Sequence, residues 1–171
     1  MCGLVGFYSP KGFPPDEGEA VARRMASQLT YRGPDDSGTW GDSKAGIAFG
    51  HRRLAILELS HLGHQPMISP SERYMLVFNG EIYNHKEIRA AINPAVHGWK
   101  GASDTETLAV GIDKWGVKTV LQKCVGMFAL AVWDRQENVL MLARDRIGEK
   151  PLYYGWQGGV MLFGSELKSL R

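Results

Sequence analysis

The sequence predicts an α+β fold in which two β-sheets pack face to face and helices cover their outer faces. Three observations lead to this prediction: three segments have helical apolar spacing, seven shorter segments have strand character, and residues 127–133 are apolar on both strand faces. An antiparallel sheet with one face in water alternates apolar and polar residues, so this strand needs cover on both sides. A layered α+β sandwich provides that cover, although periodicity leaves the strand order open.

Each predicted helix begins with a short polar residue three positions before a glutamate. Asp16, Asn84 and Ser103 occupy these positions, and apolar residues follow at helical spacing. In this capping-box pattern the short side chain accepts a hydrogen bond from a free N–H of the first turn. We expect Gly116 to end the third helix and Val117–Lys123 to form a short further turn or helix.

The predicted strands are rich in apolar, β-branched and aromatic residues. They are Gly3–Tyr8, Ala45–Arg52, Tyr74–Asn79, Gly126–Asp134, Asn138–Asp145, Leu152–Trp156 and Val160–Gly164. Two connections are short, Asp134–Asn138 and Gln157–Gly159, so the strands that flank each of them are expected to form a hairpin.

The composition is that of an ordinary globular chain. Its 171 residues suit one domain, and 44% hydrophobic with 22% charged residues excludes a disordered, fibrous or disulfide-stapled protein. The longest apolar run, Gly126–Trp133, is too short to span a bilayer, and no secretory signal precedes it, so we expect a cytoplasmic protein without a membrane partner. The net charge is +2, and the basic residues are scattered along the chain without forming a stripe, which argues against a nucleic-acid partner. The five histidines and two cysteines show no metal-ligand spacing, so no metal is expected.

Cys2 follows the initiator methionine and is small enough for Met1 to be removed enzymatically. The mature chain would then begin with a thiol, of ordinary pKa about 8.5, beside an α-amine of ordinary pKa about 7.7–8.0. Such a residue supplies a nucleophile and its own base, because the amine accepts the thiol proton directly or through a water. A small residue after the initiator is also common without any function, so Cys2 alone does not decide the matter.

Five further sequence blocks occur in a fixed order behind Cys2-Gly3-Leu4-Val5-Gly6. They are Tyr31–Asp35, His51–Ile56, Asn79–Asn84, Ala143–Tyr154 and Phe163–Lys168. Together they resemble the class II glutamine amidotransferases, and within them the glutaminase half of asparagine synthetases and related sugar-modifying enzymes. The resemblance covers residues 1–171 as one domain. It implies a four-layer αββα sandwich of the N-terminal-nucleophile (Ntn) hydrolases, with two mainly antiparallel sheets and the cysteine at the end of the first strand.

The resemblance implies hydrolysis of the side-chain amide of L-glutamine to glutamate and ammonia through a thioester on Cys2. It assigns the oxyanion hole to the side-chain amide of Asn79 and the backbone N–H of Gly80. In isolation an Asn-Gly pair favours a turn. We expect glycine here because the missing Cβ lets substrate approach the main chain.

The resemblance also implies how free glutamine is recognised. Arg53 matches the carboxylate-binding arginine, a role that suits a planar guanidinium. Asp104 and Glu81 match the positions that hold the α-ammonium, although Asp104 also suits the first turn of a helix. Arg32 is expected to brace the loop near the cysteine. Main-chain atoms of four residues are expected to line the same pocket: Leu54, Ala55, Ile56 and Leu57.

Four further residues with reactive side chains are expected to have structural roles and not catalytic ones. Cys124 lies among apolar residues and is expected to be a core thiol. Asp145, Arg146 and Lys150 are expected to hold a strand connection together.

In the resembling enzymes a C-terminal synthetase domain with ATP and Mg²⁺ consumes the ammonia. Its pyrophosphate-binding loop is absent from this chain, so we expect no cofactor here. The chain ends at Arg171, where that domain is expected to begin, and we expect the synthetase domain to be the partner. The ammonia acceptor, aspartate or a sugar carboxylate, stays open. A stand-alone ammonia supplier is an alternative to a domain of a longer protein, which we favour. Two other functions remain: a glutamine-binding regulatory module with little turnover, and an Ntn hydrolase of another amide, which Arg53 and Asp104 disfavour.

Overall fold

The computed structural model describes residues 1–92 and 98–171. Within these residues nine strands form two sheets, in which every neighbouring pair is antiparallel. The first sheet has the order β2-β3-β1-β9-β8, from β1 (Gly3–Tyr8), β2 (Asp36–Asp42), β3 (Ile47–Arg53), β8 (Tyr153–Gln157) and β9 (Val160–Gly164). The second sheet has the order β4-β5-β6-β7, from β4 (Met67–Ile68), β5 (Tyr74–Ile82), β6 (Gly126–Asp134) and β7 (Val139–Arg144).

Three α-helices in the described part of the chain complete four layers, which confirms the predicted α+β sandwich. They are α1 (Glu17–Ser27), α2 (His85–Ala91) and α3 (Asp104–Lys123). One apolar cluster joins α1 to the outer face of the first sheet, a second fills the space between the sheets, and a third joins the second sheet to α2 and α3. The strand β6 contributes Leu130 to the third cluster and Ala131 to the second, so both of its faces are covered as expected.

The structure adds two strands that the sequence pattern did not predict. The strand β2 has the sequence DSGTWGD, which shows no apolar alternation because it lies at a sheet edge and is largely half-buried. The strand β4 has two residues. The strand β5 also continues to Ile82, three residues beyond its predicted end, so Asn79 and Gly80 lie inside a strand and not in a turn.

One of the three predicted helix caps is confirmed. The Ser103 side chain accepts a hydrogen bond from the N–H of Glu106 at 3.1 Å. Asp16 is instead in the left-handed region at φ 66° and makes no side-chain cap bond. The Asn84 side chain caps nothing either, because it bridges the Lys123 carbonyl and the Val125 N–H. Both predictions were wrong because the sequence pattern does not fix the backbone angles of the cap residue.

Gly116 interrupts α3 as expected. Its backbone lies at φ 77° and ψ 160°, outside the helical region, and residues 117–123 resume as a short helix. A positive φ is readily adopted only by glycine, which explains the residue at this break. No helix within residues 1–92 and 98–171 is both long and apolar enough to cross a lipid bilayer.

Candidate active site

One pocket lies where the beginnings of β1 and α3 meet the ends of β3 and β5. It is lined by Met1, Cys2, Arg53, Leu54, Ile56, Leu57, Glu58, Gly63, Gln65, Phe78, Asn79, Gly80, Glu81, Ser103, Asp104, Thr105, Met127 and Lys150. Adjacent antiparallel strands bring residues far apart in sequence to one sheet end, as the pairing of Gly3 with Arg52 shows. All but one of the residues predicted to bind substrate or act on it therefore share this pocket.

The half-buried Cys2 thiol lies at the start of β1, against the backbone of Leu54. The Leu54 N–H points to Sγ at 3.3 Å, and Sγ lies 3.6 Å from the Leu54 carbonyl oxygen. Arg32 donates from Nε to the Cys2 carbonyl at 2.9 Å and pairs with Glu166 at 2.8 Å, so it braces the backbone of Cys2 from outside the pocket. Burial raises the pKa of the Cys2 thiol, because a thiolate is poorly solvated there, while the Leu54 N–H opposes that rise.

Asn79 presents an unused hydrogen-bond donor. Its side chain is 1% exposed, and Nδ2 has no hydrogen-bond partner within the described part of the chain. A buried amide N–H₂ without a partner costs free energy, so such a group is uncommon away from functional sites. Asn79 therefore lines the pocket with a donor that is free for a ligand oxygen.

The backbone N–H of Gly80 points away from β6, as the bonds of its opposite residue show. Phe128 lies opposite Gly80 and directs both its N–H and its carbonyl to Asp145, on the β7 side. In an antiparallel ladder such a pair is not hydrogen-bonded to each other, so Gly80 directs its N–H outward too.

The two neighbours of Gly80 on this side already have acceptors. The Phe78 N–H donates to Gln65 Oε1 at 2.6 Å, and the Ile82 N–H donates to Asp104 Oδ2 at 2.9 Å. The Gly80 N–H between them has no side-chain acceptor within residues 1–92 and 98–171 and lines the pocket. The structure gives a further reason for glycine here, because a Cβ would lie 2.2 Å from the Met127 carbonyl oxygen of β6.

Arg53 carries a buried positive charge without a carboxylate partner. Its guanidinium donates to the carbonyls of Glu58 and Ser60, the latter at 2.8 Å, and it is 7% exposed. No carboxylate oxygen of the described residues lies within 4 Å of it. Backbone carbonyls orient a guanidinium but do not neutralise it, so Arg53 is prepared for an anionic ligand.

Asp104 carries the opposite charge in the same pocket. Its carboxylate accepts from Ile82 and has no cationic partner within 4 Å in the described chain. Burial raises the pKa of Asp104 to about 6, although backbone N–H groups of Ile82 and Thr105 oppose the rise. The half-buried Glu81 raises it further by repulsion.

The charge of Asp104 is expected to reduce the stability of the free protein. Its pKa of about 6 exceeds the ordinary 3.8, so the folded state binds more protons between these values and stability falls as pH rises through them. Asp104→Asn should raise the free energy of unfolding by about 2 kcal/mol more at pH 7.5 than at pH 4.5. Urea denaturation at both pH values measures this. The exposed Asp16, as Asp16→Asn, is the control, and an equal effect of Asp104→Asn at both pH values would contradict the prediction.

Two predicted residues lie outside the pocket lining. The Ala55 N–H donates to Asp35 at 2.8 Å, so this residue supports the loop that carries Leu54, Ile56 and Leu57. Arg32 acts from behind Cys2, as described above. The predicted strand connection is formed by Asp145, which accepts from backbone N–H groups of residues 128, 149 and 150, whereas the Lys150 side chain points into the pocket.

Gln65 and His51 fix the frame of the site, although the sequence does not predict either of them as a site residue. Gln65 accepts from Phe78 and donates to Thr105 at 3.3 Å, so it joins β5 to α3. His51 lies 3.0 Å from the Phe78 carbonyl and joins the two sheets. Burial lowers the pKa of His51 to about 4, so this contact comes from a neutral ring that donates through Nε2. His51 begins the sequence block His51–Ile56, whereas no local sequence signal indicates a role for Gln65.

The two antiparallel sheets with helices on their outer faces form the four-layer α+β sandwich of the N-terminal-nucleophile hydrolase fold. The chain superimposes on glutamine phosphoribosylpyrophosphate amidotransferase of Bacillus subtilis with a TM-score of 0.82 at 20% identity, over 99% of this chain and 43% of that one. A family model for the glutamine amidotransferase domain matches residues 1–171, and the chain belongs to this family.

Curated relatives include two asparagine synthetases of B. subtilis. Asparagine synthetase (glutamine-hydrolyzing) 3 is 38% identical over 176 residues, and number 2 is 39% identical over 173 residues. The alignments cover 99% of this chain but only 27% and 22% of those proteins. The chain thus spans about a quarter of the length of these relatives.

Proposed function

We propose that this chain hydrolyses the side-chain amide of free L-glutamine to glutamate and ammonia. The observation that carries the proposal is that one pocket holds Cys2 together with two uncompensated opposite charges, Arg53 and Asp104. A free α-amino acid has a carboxylate for Arg53 and an ammonium for Asp104, whereas a glutamine residue within a protein has neither. Glu81, which lines the same pocket, adds negative charge on the ammonium side.

The reaction begins when Met1 has been removed and the α-amine of Cys2 is free. The thiol gives its proton to this amine, and Sγ attacks the amide carbon. Asn79 Nδ2 and the Gly80 N–H hold the resulting oxyanion. The amine then returns the proton to the leaving nitrogen, ammonia departs, and a thioester remains. Water cleaves the thioester to glutamate and restores the thiol.

We propose that the ammonia passes to a C-terminal synthetase domain of a longer protein, as the names and lengths of the curated relatives suggest. ATP and Mg²⁺ would be bound there and not in this domain. Asparagine formation from aspartate is the acceptor reaction that these names favour. We further propose that the protein works in the cytoplasm.

Arg53→Ala is expected to raise the KM for glutamine by about 10²-fold or more, because a bidentate charge-assisted contact with the substrate carboxylate is lost. The measurement is glutamate release by chain whose intact mass shows that Met1 is absent. Arg52→Ala is the matched control, since Arg52 donates to the Gly33 carbonyl and does not line the pocket.

The outcomes separate the competing functions. An acyl amide without α-groups should be a poor substrate, and equal turnover of that amide by the Arg53→Ala chain would identify a hydrolase of another amide. Glutamine binding without glutamate release by the processed chain would identify a regulatory module and overturn the proposal.

A further inference from the structure

Lys150 places an unpaired ammonium group at the reacting end of the pocket. The residue is 5% exposed, and the polar contact of its Nζ is the Met1 sulfur at 3.1 Å. No carboxylate oxygen within residues 1–92 and 98–171 lies within 4 Å of Nζ. A buried lysine without an anionic partner is costly to keep, so its position calls for a reason.

The loop before Lys150 fixes this residue firmly. Asp145 accepts from the Lys150 N–H at 3.0 Å, and Arg144 donates to the Lys150 carbonyl. The Asp145 carboxylate also accepts from Phe128 and Glu149, so backbone N–H groups use its oxygens and it does not pair with Nζ. These bonds hold the lysine backbone from both sides, while the side chain extends to Met1.

Removal of Met1 changes what Nζ faces. The Met1 sulfur is five covalent bonds from the Cys2 nitrogen, which limits their separation to about 6 Å. Nζ therefore lies within roughly 9 Å of the nitrogen that becomes the α-amine of the mature chain. When Met1 leaves, its thioether no longer lies between these two nitrogen groups.

We propose that Lys150 is a positioning residue that sets the proton balance of the mature N-terminus, its positive charge keeping the Cys2 α-amine neutral and favouring the Cys2 thiolate. The proposal rests on the function proposed above, since a neutral amine is the base that the reaction needs. Two unit charges about 9 Å apart at an effective dielectric constant of about 20 influence each other by about one pH unit.

Two other cations lie near Cys2. Arg53 also lowers the pKa of the Cys2 thiol, because its two carbonyl partners orient the guanidinium without neutralising it, whereas Arg32 is paired with Glu166. Lys150 adds a second uncompensated positive charge, on the side of Met1. The other charged groups around the two nitrogens are Glu58, Glu81 and Asp104 in the pocket and Arg144, Asp145, Arg146 and Glu149 on the segment that leads to Lys150. Glu81 and Asp104 are negative and favour a protonated amine, so the lysine charge counters them at the reacting end.

The test compares Lys150→Met, which keeps length and removes charge, with Lys150→Arg, which keeps charge. Each chain is checked by intact mass for loss of Met1, and the rate of Cys2 alkylation by iodoacetamide is followed from pH 5 to 10. We expect the midpoint of the Lys150→Met profile to rise by about one pH unit and the Lys150→Arg profile to stay near the parent. The midpoint of the low-pH limb of the kcat/KM profile for glutamine should shift upward by the same amount.

Alkylation needs no turnover, so this test remains valid if the glutaminase proposal fails. Lys11→Met, an exposed lysine outside the pocket, is the control for charge removal as such. If Lys150→Met is not folded, Lys150→Gln serves in its place, with melting temperature as the check. Coincident alkylation profiles for the parent and a folded uncharged variant would overturn the proposal, as would a shift of the same size in Lys11→Met.

Discussion

Cys2→Ser is expected to lower glutamine hydrolysis by about 10³-fold or more, because a serine hydroxyl is far less acidic and less nucleophilic than a thiol. Serine is also small enough for Met1 to be removed, so the variant keeps the free α-amine. Glutamate release by chains of verified mass measures the effect. Glutamine affinity, measured by calorimetry on the same variant, should stay close to that of the parent, because Arg53 and Asp104 are unchanged.

Cys124→Ala is the matched control for the loss of a cysteine. Cys124 is fully buried in the cluster between the second sheet and α3, and burial raises the pKa of its thiol to about 11. An unreactive thiol of this kind should leave turnover unchanged at some cost in stability. Turnover that survives Cys2→Ser, or that depends on Cys124, would remove Cys2 from its proposed role.

Asn79→Ala is expected to lower kcat by about 10²- to 10³-fold with little change in KM, since the oxyanion forms only along the reaction. Asn79→Asp tests the same point without changing shape, because it replaces the donor by a negatively charged acceptor. We expect it to be at least as damaging as alanine. Steady-state kinetics of glutamate release separate kcat from KM.

Asn84→Ala provides the contrast with a structural asparagine. Asn84 bonds to Lys123 and Val125 and lies outside the pocket lining, so its loss should lower the melting temperature and leave kcat in place. The free Nδ2 of Asn79 makes no comparable structural bond, so Asn79→Ala should have little effect on melting. A rise in KM without a fall in kcat for Asn79→Ala would show that the amide binds the ground state alone.

Much of the fold follows from local pattern. The strand β1 begins and ends at the predicted residues, and the breaks at Gly116 and at residues 157–159 lie where expected. These features depend on side-chain alternation, glycine and turn length, which act within a few residues. The short strand β4 and the polar strand β2 exist only because β5 and β3 provide backbone partners, so no local pattern announces them.

The candidate site divides in the same way. Motifs predicted Cys2, Arg53, Asn79, Gly80 and Asp104, and the structure brings these residues into one pocket, while their roles stay predictions. Gln65 and Lys150 reach the pocket through contacts that span 40 and 149 positions of the chain. Contacts at that separation are set by packing, so the sequence predicts the lysine only in the strand connection that Asp145 forms and not in the pocket.

The sequence by itself determines the chemical groups that are present. A thiol after Met1, a guanidinium at position 53 and a carboxylate at position 104 determine which reaction types are available. Which of these groups remains unpaired is settled only in three dimensions. Arg53 and Asp104 keep their charges free because the sheets and α3 surround them with backbone groups and place no opposite charge within 4 Å. Burial then strengthens each electrostatic interaction in the pocket, and burial is a property of the assembled layers.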